Sequence, residues 1–221
     1  MKEACILSVQ AGLPRTMVGI HATGSPDKPW QTGIFKAPVY GHVWLGTLNL
    51  DGDAQADLSV HGGPHKAINA YPSEHYPYWK QTLHLPDMPY GAFGENFTTS
   101  GLLEDEVCIG DVFHAGEALV QVSQPRQPCW KIERRWEIQD FGARMKQTGK
   151  TGWYFRVLRE GYVEAGNTLV LTGRSFPQWT VATAYAIMRN RRTDATAARE
   201  LARCPALSPR WQENLIAATP G

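Results

Sequence analysis

The chain has 221 residues, 43% of them hydrophobic, which is enough for a core in one large domain or in a domain with a small appendage. With 22 basic and 21 acidic residues the formal net charge is +1, so no global field draws the protein to a nucleic-acid polymer or an anionic membrane. Any anion site must be local, and no apolar run approaches the length of a bilayer span.

The first segment, "MKEACILSVQAGLPR", places Glu3 after Lys2 and returns quickly to polar residues, which suits an opening strand better than an export signal. A reducing cytoplasm is therefore the expected compartment, with Cys5, Cys108, Cys129 and Cys204 as free thiols. No cysteine pair forms CxxC and no HExxH is present, so a zinc site has little support. Period-two runs then follow one another: "CILSVQAG", "TGIFKAPV", "GHVWLGTLNL", "AINAYP", "DVFHAGEALVQVSQ" and "WYFRVLREGYVEAGNTLVLTG". Short strands at this density, punctuated by glycine and proline, predict a closed or nearly closed β-barrel. Two interruptions read as helices. In "SEHYPYWKQTL" Ser73 can cap while Tyr76, Trp79 and Lys80 share a face, and "IQDFGARMKQTG" ends on Gly149.

After "GRSFPQWT" the period becomes helical. "TVATAYAIMRN" can be capped by Thr180 and "DATAARELARC" by Asp194, and "SPRWQENLIAA" offers Ser208 as N-cap with Pro209 in the first turn. None of the three is long enough to be stable alone, so they must pack together. The resulting division is a barrel over residues 1–174 and a three-helix unit over residues 175–221. The helices serve either to dock a partner or to cover an apolar flank of the barrel.

Three clusters carry candidate chemistry. "VHGGPHKA" sets His61 before Gly62 and Gly63, whose amides can approach an oxyanion closely, although a plain turn explains the pair as well. "GAFGENF" puts a flexible backbone, a carboxylate and an amide together at Gly94, Glu95 and Asn96, and a turn with an Asx-type hydrogen bond fits it nearly as well. "VSQPRQPCWK" is the sharpest. Pro125 and Pro128 each fix φ and lack an amide donor, so the strand must leave its sheet stiffly and present Cys129 between Arg126 and Lys131. Positive charge favours a thiolate, which is both a nucleophile and a soft metal ligand, whereas a lone cysteine is commonly a buried structural one. No GxSxG occurs, and no pattern assigns His61 or Asp111 as a catalytic partner of Cys129.

Together, "DLSVHGGPHKAINAYPSEHYPYW", "GAFGENFTTSGL", "IGDVFHAGEALVQVSQPRQPCWK" and "TGKTGWYFRVLREG" resemble the MOSC-domain proteins, named for the C-terminal domain of molybdenum-cofactor sulfurases, and among them the YiiM type. The resemblance runs from about Ile6 through the helical tail. It implies a mostly β fold with α: a MOSC-type β-barrel followed by a small C-terminal three-helix domain. It also implies a cleft for a pterin-based molybdenum cofactor (molybdopterin), with Cys129 as the metal's protein ligand at the catalytic centre. Thr32, His61, Gly62, Gly63, Asn96, Arg126 and Lys150 are the residues it places around the cofactor.

The implied activity is reduction of small N-hydroxylated compounds such as 6-hydroxylaminopurine to the amine and water, a detoxifying reaction with electrons supplied by a flavoprotein partner. One departure stands out: several YiiM-type proteins carry a lysine where this chain has Gln31, before Thr32 and Gly33. Two other classes fit the same residues. A sulfur carrier with a persulfide on Cys129 would release sulfide on thiol treatment, and a non-catalytic cofactor-binding or partner-docking module would hold neither metal nor labile sulfur.

Overall fold

The computed structural model describes residues 3–18 and 28–217. Twelve strands are present among them: β1 (Cys5–Ala11), β2 (Arg15–Met17), β3 (Trp30–Thr32), β4 (Ala37–Val39), β5 (Val43–Leu45), β6 (Ile68–Pro72), β7 (Phe97–Ser100), β8 (Val112–Ala115), β9 (Ala118–Pro125), β10 (Trp153–Arg159), β11 (Gly161–Val163) and β12 (Leu169–Gly173). Six α-helices accompany them: α1 (Tyr76–Thr82), α2 (Lys131–Trp136), α3 (Phe141–Thr148), α4 (Val181–Asn190), α5 (Ala195–Ala202) and α6 (Pro209–Ala217). No helix among the described residues is long and apolar enough to cross a membrane.

Eight strands share one sheet in the order β12-β8-β9-β10-β6-β7-β1-β4, and the pairs β11-β5 and β2-β3 lie outside it. The alternation read from the sequence is the burial pattern of β9, where Ala118, Val120 and Val122 are fully buried and Leu119 and Gln121 are not. Facing side chains from Ile6, Ile68, Phe97, Phe113, Trp153 and Phe155 fill the interior. The sheet does not close through a regular ladder, which corrects the fully closed form of the barrel expectation. Beside β1, β12 contributes a single bridge, Cys5 to Thr168, because the chain turns at Glu164–Asn167 just before it. Backbone bonds from Leu169 N to Ala4 O (2.7 Å) and from Ile6 N to Asn167 O (2.9 Å) complete that seam.

One neighbouring pair, β6 and β7, is parallel. Parallel neighbours need a crossover, and the chain from Ser73 to Asn96 supplies it with a 3₁₀ turn (Ser73–His75), α1 and a glycine-rich loop. Its apolar side is a second core in which Tyr71 stacks on Phe93 at 4.0 Å and Trp79 meets Phe141 of α3 edge-on at 5.2 Å. The polar atoms there are paired: Trp79 Nε1 donates to Tyr71 Oη (2.6 Å), which donates to Lys150 O (3.1 Å).

Helix ends follow the sequence signals with two differences. Thr180 Oγ1 accepts from Thr183 N (3.0 Å), Asp194 Oδ1 accepts from Ala197 N (3.0 Å), and Gly149 closes α3 in the left-handed region. Ser73 caps nothing, because the 3₁₀ turn intervenes before α1 and its hydroxyl donates to Glu74. Ser208 precedes Pro209 as expected, but its Oγ donates across the fold to Gln124 Oε1 (2.6 Å).

The three C-terminal helices share the barrel's apolar cluster: Val181, Tyr185, Leu201, Trp211 and Leu215 belong to it together with Val107, Ile109 and Val122. Backbone bonds from Val181 N to Val107 O (2.8 Å), Ile109 N to Trp179 O (2.8 Å) and Ser208 N to Ser123 O (3.0 Å) join the two parts. Deleting residues 175–221 therefore strips an apolar flank. The truncated chain is expected to aggregate, as read by size-exclusion chromatography. In the full chain Trp211→Ala, at a site 2% exposed, should cost about 3–5 kcal/mol of unfolding free energy in urea titration.

Candidate functional site

Pro125 pairs with Trp153 as the last residue of β9, and Arg126 N adds one further bond to Gly152 O (3.0 Å). The chain then leaves the sheet through Gln127 and Pro128, and α2 begins at Lys131. Cys129 sits in this connector, half-buried, on the wall of a cleft with about 640 Å³ of open space. The other thiols lie elsewhere: Cys5 at the barrel seam against Ser100 Oγ (3.2 Å), Cys108 buried near Pro177 O, and Cys204 in the helix-side core.

Six of the eight residues singled out from the sequence line this cleft: Thr32, His61, Gly62, Asn96, Arg126 and Cys129. Their local roles differ. Thr32 Oγ1 accepts from Ile34 N (3.1 Å) and turns the chain out of β3. Asn96 Nδ2 donates to Gln10 O (3.2 Å) and Asp53 Oδ2 (2.9 Å) while its Oδ1 accepts from Asn69 N (3.1 Å), so the amide holds three segments together at the cleft floor. Its neighbour Glu95 is wholly buried and accepts from Tyr76 Oη, Gly91 N (2.7 Å), Phe93 N (3.0 Å) and Thr98 Oγ1 (2.9 Å), which makes it the organiser of the "GAFGENF" turn.

Gly63 and Lys150 lie outside the cleft. Gly63 has φ +83° and faces a neighbouring cavity, where an added Cβ meets nothing. Gly62, at φ +74°, is the crowded one, since a Cβ there falls 2.4 Å from Gln55 Oε1. Lys150 follows α3, whose packing on the aromatic core carries its ammonium over the Tyr78 ring (5.4 Å). His61 and His65 are spaced HxxxH, yet Gly62-Gly63-Pro64 is not helical, so the spacing does not put both rings on one face; only His61 reaches the cleft. Gln31 is exposed and does not line it.

The electrostatics are one-sided. Arg126 is 5% exposed; its Nη2 donates to Phe93 O, and its Nη1 is buried with no partner. Among the described residues neither Arg126, Lys66 nor Lys131 forms an ion pair. Burial, followed by Lys131 and Lys66, pushes the His61 imidazole down to about 4. Burial, with Arg210 adding to it, lowers Lys66. Burial raises the Tyr154 hydroxyl, with Arg126 opposing and Cys129 reinforcing the shift. The cleft can thus receive an anion and offers one soft ligand beside it.

Lys36 and Tyr154 are among the lining groups that sequence reading missed. Lys36 comes from an unremarkable strand run, and it reaches the cleft wall only because Asp53, which also accepts from Gly12 N (2.9 Å), holds its ammonium there. Burial lowers the Lys36 ammonium while Asp53 raises it. Tyr154 lies inside "TGWYFRVLREG", where alternation along β10 separates it from inward-facing Trp153 and Phe155.

A family model described as the MOSC domain matches residues 57–170, and one described as the YiiM-like 3-alpha helix domain matches residues 179–215. Protein YflK of Bacillus subtilis is 43% identical over 211 residues, covering 96% of this chain and 92% of that protein. A protein of Gibberella moniliformis named "Reductase" is 32% identical over 208 residues, which is 92% of this chain but 36% of that longer protein. The crystal structure of YiiM from Geobacillus stearothermophilus superposes with a TM-score of 0.80 at 40% identity, covering 97% and 98% of the two chains.

The depressed His61 fixes a pH dependence. The unfolded chain takes up this proton near the ordinary histidine value and the folded one only near pH 4, so stability is complete above about pH 6.5 and falls as pH drops toward 4. His61→Gln should narrow the difference between urea midpoints measured at pH 7 and pH 5. An identical difference in both proteins assigns the acid sensitivity to other groups.

Proposed function

The chain belongs to the MOSC-domain family, and from that premise we propose that it is a molybdenum-cofactor-dependent reductase of N-hydroxylated compounds. The observation that carries the reading is a single half-buried thiol, Cys129, on a cleft wall where Arg126, Lys66 and Lys131 form no ion pair among the described residues and Arg126 Nη1 is buried without a partner. A relative that aligns with 92% of this chain and bears the name "Reductase" supports the redox class.

The residues present fit a pterin-based molybdenum group. Among the described residues no set of three or more His, Cys, Asp and Glu side chains is placed to hold a metal ion, so a metal at Cys129 takes its remaining ligands from its own prosthetic group. The orphaned Arg126 Nη1 suits the negative end of such a group, with Lys66 and Lys131 adding charge. Lys36 supplies a cation on the wall near the segment where the chain carries Gln31.

When bound, the group supplies the two-electron chemistry that takes oxygen from an N–OH function, giving the amine and water. Cys129 anchors the metal and tunes it through sulfur. His61 is neutral near pH 7 in the open cleft and offers a ring N–H or a lone pair rather than a charge. Tyr154 stays protonated and keeps a hydroxyl proton at Oη beside Cys129 and Arg126. Phe93 and Gly94 line the cleft, and the Phe93 ring is fully buried. Electrons reach the site from a flavoprotein partner in this reading.

Protein purified from a host that makes the cofactor should contain molybdenum and an extractable oxidised pterin, and should reduce 6-hydroxylaminopurine with a small artificial reductant. Metal-free protein that releases sulfide on thiol treatment would favour the persulfide carrier. Cys129→Ser should lose molybdenum, while Cys5→Ser, Cys108→Ser and Cys204→Ser keep it. Arg126→Gln removes charge-assisted hydrogen bonds worth about 1.5–3 kcal/mol, roughly a tenfold or greater loss of cofactor affinity.

A further inference from the structure

The cleft has two lobes that meet at Cys129. The inner lobe runs along the barrel past Thr32, Gly94, Asn96 and Arg126. The outer lobe opens toward the C-terminal helices between Gln127 and Trp130 on one side and Arg210 and Asn214 on the other. His61, Lys66, Gln127, Cys129 and Tyr154 line both, so the sulfur stands at their junction.

Helix α6 is fixed as the wall of the outer lobe from two directions. Ser208 at its start bonds to β9 through its amide (Ser123 O, 3.0 Å) and its hydroxyl (Gln124 Oε1, 2.6 Å). Arg210 Nη1 donates to Ser59 O on the loop that carries His61. Trp211 and Leu215 are buried in the core, which leaves Arg210 and Asn214, four residues apart on one face, turned to the lobe. Opposite them Trp130 is 51% exposed, with the Arg134 guanidinium 4.9 Å and the Lys131 ammonium 5.8 Å from its ring. A large exposed indole next to the candidate metal ligand is a stacking platform for a flat ring.

We propose that the outer lobe is the substrate site, and that Arg210 and Asn214 of α6, together with Trp130, determine which N-hydroxylated compounds reach Cys129. This rests on the reductase reading above: a prosthetic group filling the inner lobe leaves the outer lobe as the approach to the sulfur. A flat, hydrogen-bonding heterocycle stacks on Trp130, its polar edge is met by Asn214 and Gln127, and Arg210 favours acceptor atoms or negative charge on its far side. The helical domain is then part of the site.

The test fills the lobe and reads it in two independent ways. In the full-length chain prepared without cofactor, Asn214→Trp should slow alkylation of Cys129 by a pyrene-bearing maleimide at least fivefold. Cys5 alkylation, read as a separate peptide by mass spectrometry, should keep its rate. In the cofactor-loaded protein the ratio of kcat/KM for 6-hydroxylaminopurine to that for hydroxylamine should fall at least tenfold at equal molybdenum content. Trp130→Ala should raise KM for the purine about tenfold while its molybdenum content stays at the wild-type level.

Unchanged alkylation overturns the outer lobe as the main route to the thiol in the cofactor-free chain, and an unchanged substrate ratio in the cofactor-loaded protein, whatever the alkylation rate, overturns its role in selection. A wild-type chain that turns over neither compound defeats the reductase reading, and the alkylation rates still decide the route.

Discussion

Two prolines that cannot donate a backbone hydrogen bond decide where β9 ends, and the site depends on that ending. Pro125 still stands opposite Trp153, and Arg126 N makes the last bond, to Gly152 O; beyond it Pro128 prevents the ladder from resuming. Residues 126–130 therefore do three things that sheet geometry forbids. Arg126 folds its guanidinium back to Phe93 O, Cys129 is set on the cleft wall, and Trp130 is left on the surface before α2 starts.

The barrel and its crossover hold the rest of the cleft around that exit. Asn96 ties β1, β6 and the Asp53 turn together, and Asp53 in turn holds Lys36. Glu95 is buried, forms no ion pair among the described residues and is satisfied by two amides and two hydroxyls, so it shapes a turn. Behind it the aromatic core of Tyr71, Phe93 and Trp79 gives the loop a rigid back. The candidate site is built on a loop that rigid elements position from both sides.

A buried guanidinium with an unpaired donor and two further cations nearby cost the folded chain stability. His61 is lowered first by its burial and then by the same cations, Lys131 and Lys66. An anion bound to the folded state removes that repulsion and stabilises the protein by mass action. Stability given up at the cleft is balanced by the shared core of barrel and helices, which encloses Phe113, Phe155, Trp211 and Leu215.

Alternation, punctuation and helix signals are local properties, and they made the strands, the change to helices near residue 175 and the caps at Thr180, Asp194 and Gly149 legible in the sequence. Part of the cleft wall was legible for a related reason: Arg126 and Cys129 lie in one proline-framed segment, and His61, Gly62 and Asn96 lie in glycine-rich turns whose composition announces them. Tertiary structure decided the rest. Lys150 is carried off by the packing of α3, and Gly63 turns to a neighbouring cavity where Gly62 does not. The hydroxyl of Ser208 reaches Gln124, 84 residues away along the chain, where local pattern makes it a cap. Lys36 enters the wall only through Asp53, and α6 lines the cavity beside Cys129 only because β9 and the His61 loop fix it from both sides. Each of these depends on strand register and long-range packing, which bring together residues far apart in the chain and leave no trace in the periodicity of either segment.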